Sequence, residues 1–597
     1  MHNRFIHAIK VGALAIIAGA ALAQAATVNL SPGMDLPSVV SAHPAGTTFV
    51  FAPGVYRMTA PIYAKNGDVF TGSATCAPPT TPCTAILNGS RLLTTFEHSG
   101  GYYSVANQTQ KNPIYIATNN CETQYQGCLY SEDLFFDGVP LTHVTTLSEV
   151  TSGTWYFDYG THTIYFSENP AGHTVETSVA LAAFVSDGIN DVTVKGLTIE
   201  KFAAPVTNGA IGIESNNSST EGINWTITGN ELLLNHGDGV RINFGSHILN
   251  NYIHNNGNLG IGGGLGDNSI ASNVVIQGNQ ISYNNYAGVK DVYGAGGVKI
   301  LGSNGLIFRD NNVHDNLATG FHADTNNINL LVDGNTVTNN TGNGLFVEIS
   351  YATIFRNNVA SGNGYIYPNG TFWLYGAQLI SSNSENVEAY CNSLQVAAAG
   401  GNGMTIIAQS RPGYVSSNDY FHHNNVVFLA GNSGWTGGGG ADPNEPNFYT
   451  ENKFDYNMYH TPADPQKLYA WANKMNQFST FQADGPEAHG TADTNYTATI
   501  PTVQITSPAD QATVSGTTDV QGTVQDSTNT ISKVELYVDS TLMATDASLV
   551  STGTAGGVAF SLPLSTADIA TGSHVIMATA FDSDGINACY AVTLNVQ

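Results

Sequence analysis

TITGNELLLN (226–235), ILNNYIHNN (248–256), VIQGNQISYN (275–284), IFRDNNVHDN (307–316), LVDGNTVTNN (331–340) and IFRNNVASGN (354–363) are variations on one phrase, apolar-x-apolar-x-[Gly/Asn]-Asn-x-apolar-x-x-Asn. Their central asparagines, read as Asn230, Asn251, Asn279, Asn311, Asn335 and Asn357, stand 21, 28, 32, 24 and 22 residues apart. Weaker copies around Leu197, Asn392 and Asn424 continue the run on both sides. Short alternating apolar runs with a turn asparagine in each, at a drifting period of two to three dozen residues, mark a parallel β-solenoid. Each coil of such a fold rises by one strand spacing, about 4.8 Å. Residues one period apart therefore stand above one another.

The rest of the chain is read outward from this run. Residues 26–92 hold the first coils, with GTTFVFAPGVYRM as a strand–turn–strand unit. A short helix, capped by Asp35 with Pro37 at an early position, is expected to cover the open end, where apolar core and strand edges would otherwise face water. Residues 93–182 break the rhythm with YYSVA, PIYIA, DLFFDGVPL, GTWYFDYGTHTIYFS and HTVETSV, and read as a small inserted β-sandwich with a hairpin turn at Gly160. Coils resume over 183–490, and a polar linker follows at 491–500. Residues 501–597 carry short strands spaced as in an immunoglobulin-like sandwich, without its Cys…Trp…Cys core, and suit an accessory spacer or binding module. The fold class is all-β: a right-handed parallel β-helix with an inserted β-sandwich and a terminal Ig-like one.

Residues 1–25 have a basic start (Arg4, Lys10), an apolar stretch and small-residue cleavage options, the pattern of a secretory signal. The protein is expected outside the cytoplasm, extracellular or periplasmic, with no membrane span and as a monomer. Of six cysteines, Cys76 with Cys83 and Cys121 with Cys128 form short-range pairs suited to local disulfides. Cys391 reads as a buried thiol and Cys589 has no evident partner. The formal charge is −27, and −29 once Arg4 and Lys10 are removed. Such a surface repels nucleic acid and anionic membranes.

The segment before each repeat phrase carries polar residues near one phase: Arg241, Lys299, Asp324, Glu348, Gln378 and Gln409. Asp324 in GFHAD and Glu348 in GLFVE each stand four residues after a glycine and thirteen after their coil's asparagine. Two carboxylates in phase on adjacent coils lie about 5 Å apart, the separation used by retaining glycosidases. Arg241, Lys299 and His322, the last two residues before Asp324 and so on its face, are candidate substrate-binding groups, with Gln378 and Gln409 as hydrogen-bonding partners for sugar hydroxyls. The loop GYIYPNGTFWLYG (364–376) adds aromatic faces, Trp373 foremost. The insertion AGVKDVYGAGG, with Asp291 and Tyr293, is placed to overhang the site or to be an ordinary loop.

TTFVFAPGVYRM, AILNGS, DLFFDGVPL, VTVKGLTIEKF and the run GGVKI…GFHADTNN…GLFVEIS resemble the pectate-lyase-like right-handed β-helix superfamily. The chain is especially similar to its secreted retaining glycoside hydrolases, which include certain β-xylosidases. That resemblance implies Asp324 as nucleophile and Glu348 as acid/base, acting on a plant or microbial poly- or oligosaccharide. Residues 501–597 resemble the bacterial Ig-like modules of glycan-degrading enzymes. Two other readings stand beside it. A polysaccharide lyase or uronan epimerase would use Lys299 or Arg241 as base, with Asp324 and Glu348 on Ca²⁺, although no Asp-rich calcium cluster is present. A non-catalytic glycan-binding or adhesive solenoid would use neither. The hydrolase reading calls for no cofactor and no metal ligand.

Overall fold

The computed structural model describes residues 26–186, 188–213, 222–242, 244–264, 271–367, 374–431, 434–440, 444–462, 468–554 and 556–597. The signal-like segment 1–25 and Trp373 lie outside them.

Three parallel sheets of 15, 13 and 13 strands run along the solenoid, and each full coil gives one short strand to each. Alternation within a strand turns one side chain inward, and in-register pairing stacks these into apolar columns. One column runs Ile227, Ile248, Ile276, Phe308, Val332, Phe355, Ala389, Phe421 and Phe454, all 0–2% exposed. Each large member contributes about 1.5–3 kcal/mol by leaving water.

The asparagines form two buried ladders. Asn335 donates through Nδ2 to the Phe308 carbonyl (2.9 Å) and to Asn358 Oδ1 (3.0 Å), and its Oδ1 accepts from the Asn311 N–H and Nδ2 (both 3.0 Å). Every polar atom of the carboxamide is thereby used, which is what makes its burial affordable in free energy. This ladder runs Asn230, Asn251, Asn279, Asn311, Asn335, Asn358, Asn392, Asn424 and Asn457. The sixth rung is Asn358, not Asn357, so the step is 23 residues. Asn357 instead takes the left-handed conformation (φ 58°). Glu487 ends the ladder, accepting from Asn457 Nδ2 (2.7 Å) and the Tyr459 hydroxyl (2.8 Å). Burial pushes its carboxyl up to about 7.

The amino-terminal helix, Leu36–Ala42, buries Leu36 and Val40 in the solenoid core and has Pro37 in its first turn. Asp35 occupies the N-cap position, but its carboxylate accepts from the Ser38 hydroxyl rather than from a backbone N–H. The inserted domain has one four-stranded and one five-stranded sheet closing on Leu134, Trp155, Phe157, Ile164 and Phe166.

The terminal Ig-like sandwich, also of four- and five-stranded sheets, is fastened to the solenoid rather than tethered as a spacer. Cys391 is not a thiol and Cys589 has a partner: the two are bridged across 198 residues. Arg356, 1% exposed, pairs with Asp333 (3.0 Å) and Asp510 (2.8 Å). Asn357 exchanges two hydrogen bonds with the Ala591 backbone. Cys76–Cys83 and Cys121–Cys128 are disulfides as the spacing suggested. No helix among the described residues is long and apolar enough to cross a membrane.

Candidate active site

One sheet carries the site. Its consecutive strands include β1 (Asp238–Ile242), β2 (Leu259–Gly263), β3 (Gly296–Leu301), β4 (Thr319–Asp324), β5 (Leu345–Glu348), β6 (Ala377–Ser382) and β7 (Asn402–Ala408). Asp324 and Glu348 end β4 and β5 and are direct register partners, followed by Ser382 on β6. A second column, two residues upstream, runs Arg241, Gly262, Lys299, His322 and Phe346. The polar residues read as one phase therefore belong to separate columns.

Lys299 crosses between the columns: its Nζ lies 2.9 Å from Asp324 Oδ2 and donates to the Tyr293 carbonyl at 3.3 Å. Asp324 Oδ1 accepts from the Thr325 hydroxyl (2.9 Å). Burial would raise the Asp324 carboxyl, but His322 and Lys299, with hydrogen bonds from Lys299 and Thr325, outweigh it and hold the group below its ordinary value. His322 stacks on Phe346 of the next coil (centroids 4.2 Å, planes 7° apart), which aims Nε2 at Glu348 Oε2, 3.4 Å away and outside hydrogen-bond geometry. Glu348 Oε1 takes Arg411 at 2.6 Å and Gln409 Nε2 at 3.4 Å, and Gln409 also donates to Ser382 Oγ (2.9 Å). One donor atom each from His322, Asp324 and Glu348 falls within 4.8 Å of the others.

The structure thus joins Asp324, Glu348, Lys299, His322 and Gln409, and corrects two placements. Gln378 is fully buried and ends the second asparagine ladder, where its Oε1 accepts from the Asn363 N–H and Nδ2 (both 3.0 Å). Gln378 stands at the start of β6, four residues before Ser382 of the site column, where it meets the turn at Asn363. Arg241 shares the Lys299 column but sits two strands away and donates to the Thr207 carbonyl. Gly262 lies between them because a Cβ there would fall 2.1 Å from Asp238 Oδ2. Of the aromatic loop, the described Tyr367 and Tyr375 rings stack at 6.1 Å. The Tyr375 hydroxyl is pushed up by burial, then by Asp291 and Glu348 nearby.

Arg411 was not foreseen. Its signal was a rare basic residue, one of 18 Lys and Arg, in the turn AQSRPG two positions past Gln409. The Tyr293 carbonyl could not be found by side-chain type. Asp291 is held at the start of β4: its carboxylate takes the Thr319 N–H (3.2 Å) and hydroxyl (3.1 Å), and burial pushes its carboxyl up.

A search of curated proteins returns no match. Among solved structures, a complex of XylC with xylose is similar at TM-score 0.56 and 15% identity, covering 85% of this chain and 89% of that chain. A mutant of the periplasmic alginate epimerase AlgG is more distant, at TM-score 0.36 and 11% identity over 78% of this chain and 84% of that one. At these identities the likeness concerns the fold. Residues 211–394 match the family model for a right-handed β-helix region, and residues 501–578 match the model for a bacterial Ig domain. The chain is a right-handed parallel β-helix protein with a carboxyl-terminal bacterial Ig domain.

Proposed function

We propose that the protein is an exported, carbohydrate-active enzyme, a retaining glycoside hydrolase acting on a plant or microbial poly- or oligosaccharide. The observation that carries this reading is the in-register pair Asp324 and Glu348, with one oxygen of each within 4.8 Å, against the roughly 5–5.5 Å of retaining enzymes. Asp324, kept anionic by its cationic neighbours, attacks the anomeric carbon and forms a glycosyl ester. Glu348 gives its proton to the departing oxygen, then takes one from the water that cleaves the ester. Arg411 occupies one Glu348 oxygen, and its side chain is 43% exposed, so a substrate oxygen can take its place. Lys299 balances the Asp324 charge, and Glu348, protonated once a substrate oxygen has displaced Arg411, adds none, so no metal is assigned.

The xylose bound by the XylC relative agrees with a sugar ligand. Three disulfides suit an oxidising compartment and an amino-terminal export signal. The lyase reading is less well served: Lys299 Nζ is already engaged by Asp324 Oδ2 at 2.9 Å and by the Tyr293 carbonyl at 3.3 Å.

The test is product stereochemistry. Proton NMR early in turnover should show the anomer of the substrate, and azide should rescue Asp324→Ala with an inverted glycosyl azide. Undiminished turnover in both Asp324→Ala and Glu348→Gln would sink the proposal.

A further inference from the structure

The loop that enters β3, residues 285–295, touches Lys299, the ion-pair partner of Asp324, and is held from outside the solenoid. Asn285 closes its first half through the Val289 N–H and carbonyl (both 2.9 Å). The second half is held by the inserted domain. Cys121, bridged to Cys128, pairs antiparallel with Val289. The Glu122 N–H donates to the Gly288 carbonyl (2.8 Å), and Lys290 donates its N–H to the Asn120 carbonyl (2.8 Å) and Nζ to the Asn119 carbonyl (2.9 Å). Gly288 has φ 75°, and a Cβ there would fall 2.3–2.5 Å from the Tyr125 side chain, so the two loops meet where only glycine fits.

The chain of contacts continues into the site. The Lys290 carbonyl accepts from the N–H groups of Tyr293 (3.0 Å) and Gly294 (3.3 Å). The Tyr293 carbonyl accepts from Lys299 Nζ, and a Cβ on Gly294 would lie 2.6 Å from Lys299 Cδ. A lysine ammonium rides on a flexible four-carbon stem with rotatable donors, and a second fixed partner narrows the positions it can take. We propose that residues 119–128, closed by the Cys121–Cys128 bridge, are a positioning element of the site: by holding Gly288, Val289 and Lys290 they fix the Tyr293 carbonyl, and through it the Lys299 ammonium on Asp324. The inserted domain is thus part of the machinery that keeps the nucleophile ionised. This deepens the reading of Asp324 as nucleophile and rests on it for any effect on turnover.

The ionisable groups around Asp324 are Lys299 on β3, His322 on β4, Glu348 on β5 with its partner Arg411, and Asp291 on the loop. Of these, the clamp fixes Lys299 and carries Asp291. The experiment reads Asp324 without substrate: carbodiimide–amine labelling of the full chain across pH, followed by peptide mass mapping of the Asp324 peptide. Cys121→Ser/Cys128→Ser and Gly288→Ala should each move the labelling midpoint up by about one pH unit, as Lys299→Met does. The two cysteine changes should add nothing on top of Lys299→Met. Cys76→Ser/Cys83→Ser, which opens a bridge packed near Gly229, should leave the midpoint in place. If the Cys121 and Cys128 variant does not fold, Gly288→Ala, which keeps every disulfide, decides the matter. An unmoved midpoint in Gly288→Ala, or in Lys299→Met itself, overturns the proposal. A moved midpoint in a chain that hydrolyses no glycoside leaves the clamp standing and removes the hydrolase.

Discussion

Lys299 and Asp324 are ion-paired at 2.9 Å although their backbones are not register partners: Lys299 stands beside His322, and Asp324 beside Leu301. The long side chain reaches diagonally across one coil, so a column offset of two residues does not separate the charges. Replacing Lys299 by Met removes a cation that lowers the Asp324 carboxyl. The carboxylate then protonates at higher pH, and the acid limb of the kcat/KM profile moves up by about one unit. A pH–rate profile of the variant checks this, and a limb that stays in place contradicts it.

Glu348→Gln should separate substrates by leaving group. Natural glycosides need the proton and should lose about 10²–10⁴-fold in kcat. Aryl glycosides whose phenolate departs unaided should lose far less at the first step. Equal losses on both would mean that Glu348 is not the acid.

Glu487 makes stability depend on pH. Its folded-state carboxyl is raised from its ordinary 4.5 to about 7. Its contribution is therefore complete below the ordinary value and is lost as pH rises through about 7. Glu487→Gln keeps an acceptor for Asn457 and Tyr459 and cannot ionise. Thermal melts should show the variant gaining a few degrees at pH 8 and little at pH 4. A variant that melts lower at both would show that the second oxygen, which accepts from the Asn457 N–H at 3.2 Å, matters more than the charge.

Cys391→Ser/Cys589→Ser should loosen the Ig domain and spare catalysis. The bridge closes 198 residues, a loop whose closure is worth about 5 kcal/mol on the chain-entropy account. It also sits at a different corner of the coil from Asp324. Thr491–Asp493 is the last strand of a solenoid sheet rather than linker, so limited proteolysis should cut residues 494–500 faster, while kcat/KM on a soluble substrate stays unchanged. Loss of activity in step with proteolysis would instead tie the Ig domain to the site.

The repeat phrase was enough to read the solenoid, because a buried asparagine in a turn needs a partner one coil away and therefore recurs. It was also enough to put Asp324 beside Glu348, since both stand at the same distance from a ladder rung. It misassigned Asn357 by a slip of one residue: IFRNN aligned on IFRDN puts Asn358 on the rung, where the structure has it. It put Gln378 in the site because a polar residue near the phase was counted without its axial offset, and Gln378 stands four residues before the site column's Ser382, at the Asn363 turn. It missed Arg411 and the Cys391–Cys589 bridge because both depend on loops and domains meeting across tens to hundreds of residues, a contact that leaves no local pattern.

Successive rungs of the long ladder are separated by anywhere from 21 to 34 residues, yet each coil adds one strand to every sheet. Axial distance in this molecule is counted in rungs, and the chain length spent between rungs is unconstrained. Whole loops at the rim can therefore be lengthened, shortened or exchanged without altering the offset between the two carboxylates. In the proposed hydrolase, substrate choice and bond-breaking geometry are thus separately adjustable, the first by the outgrowths and the second by a spine of carboxamides buried beneath them.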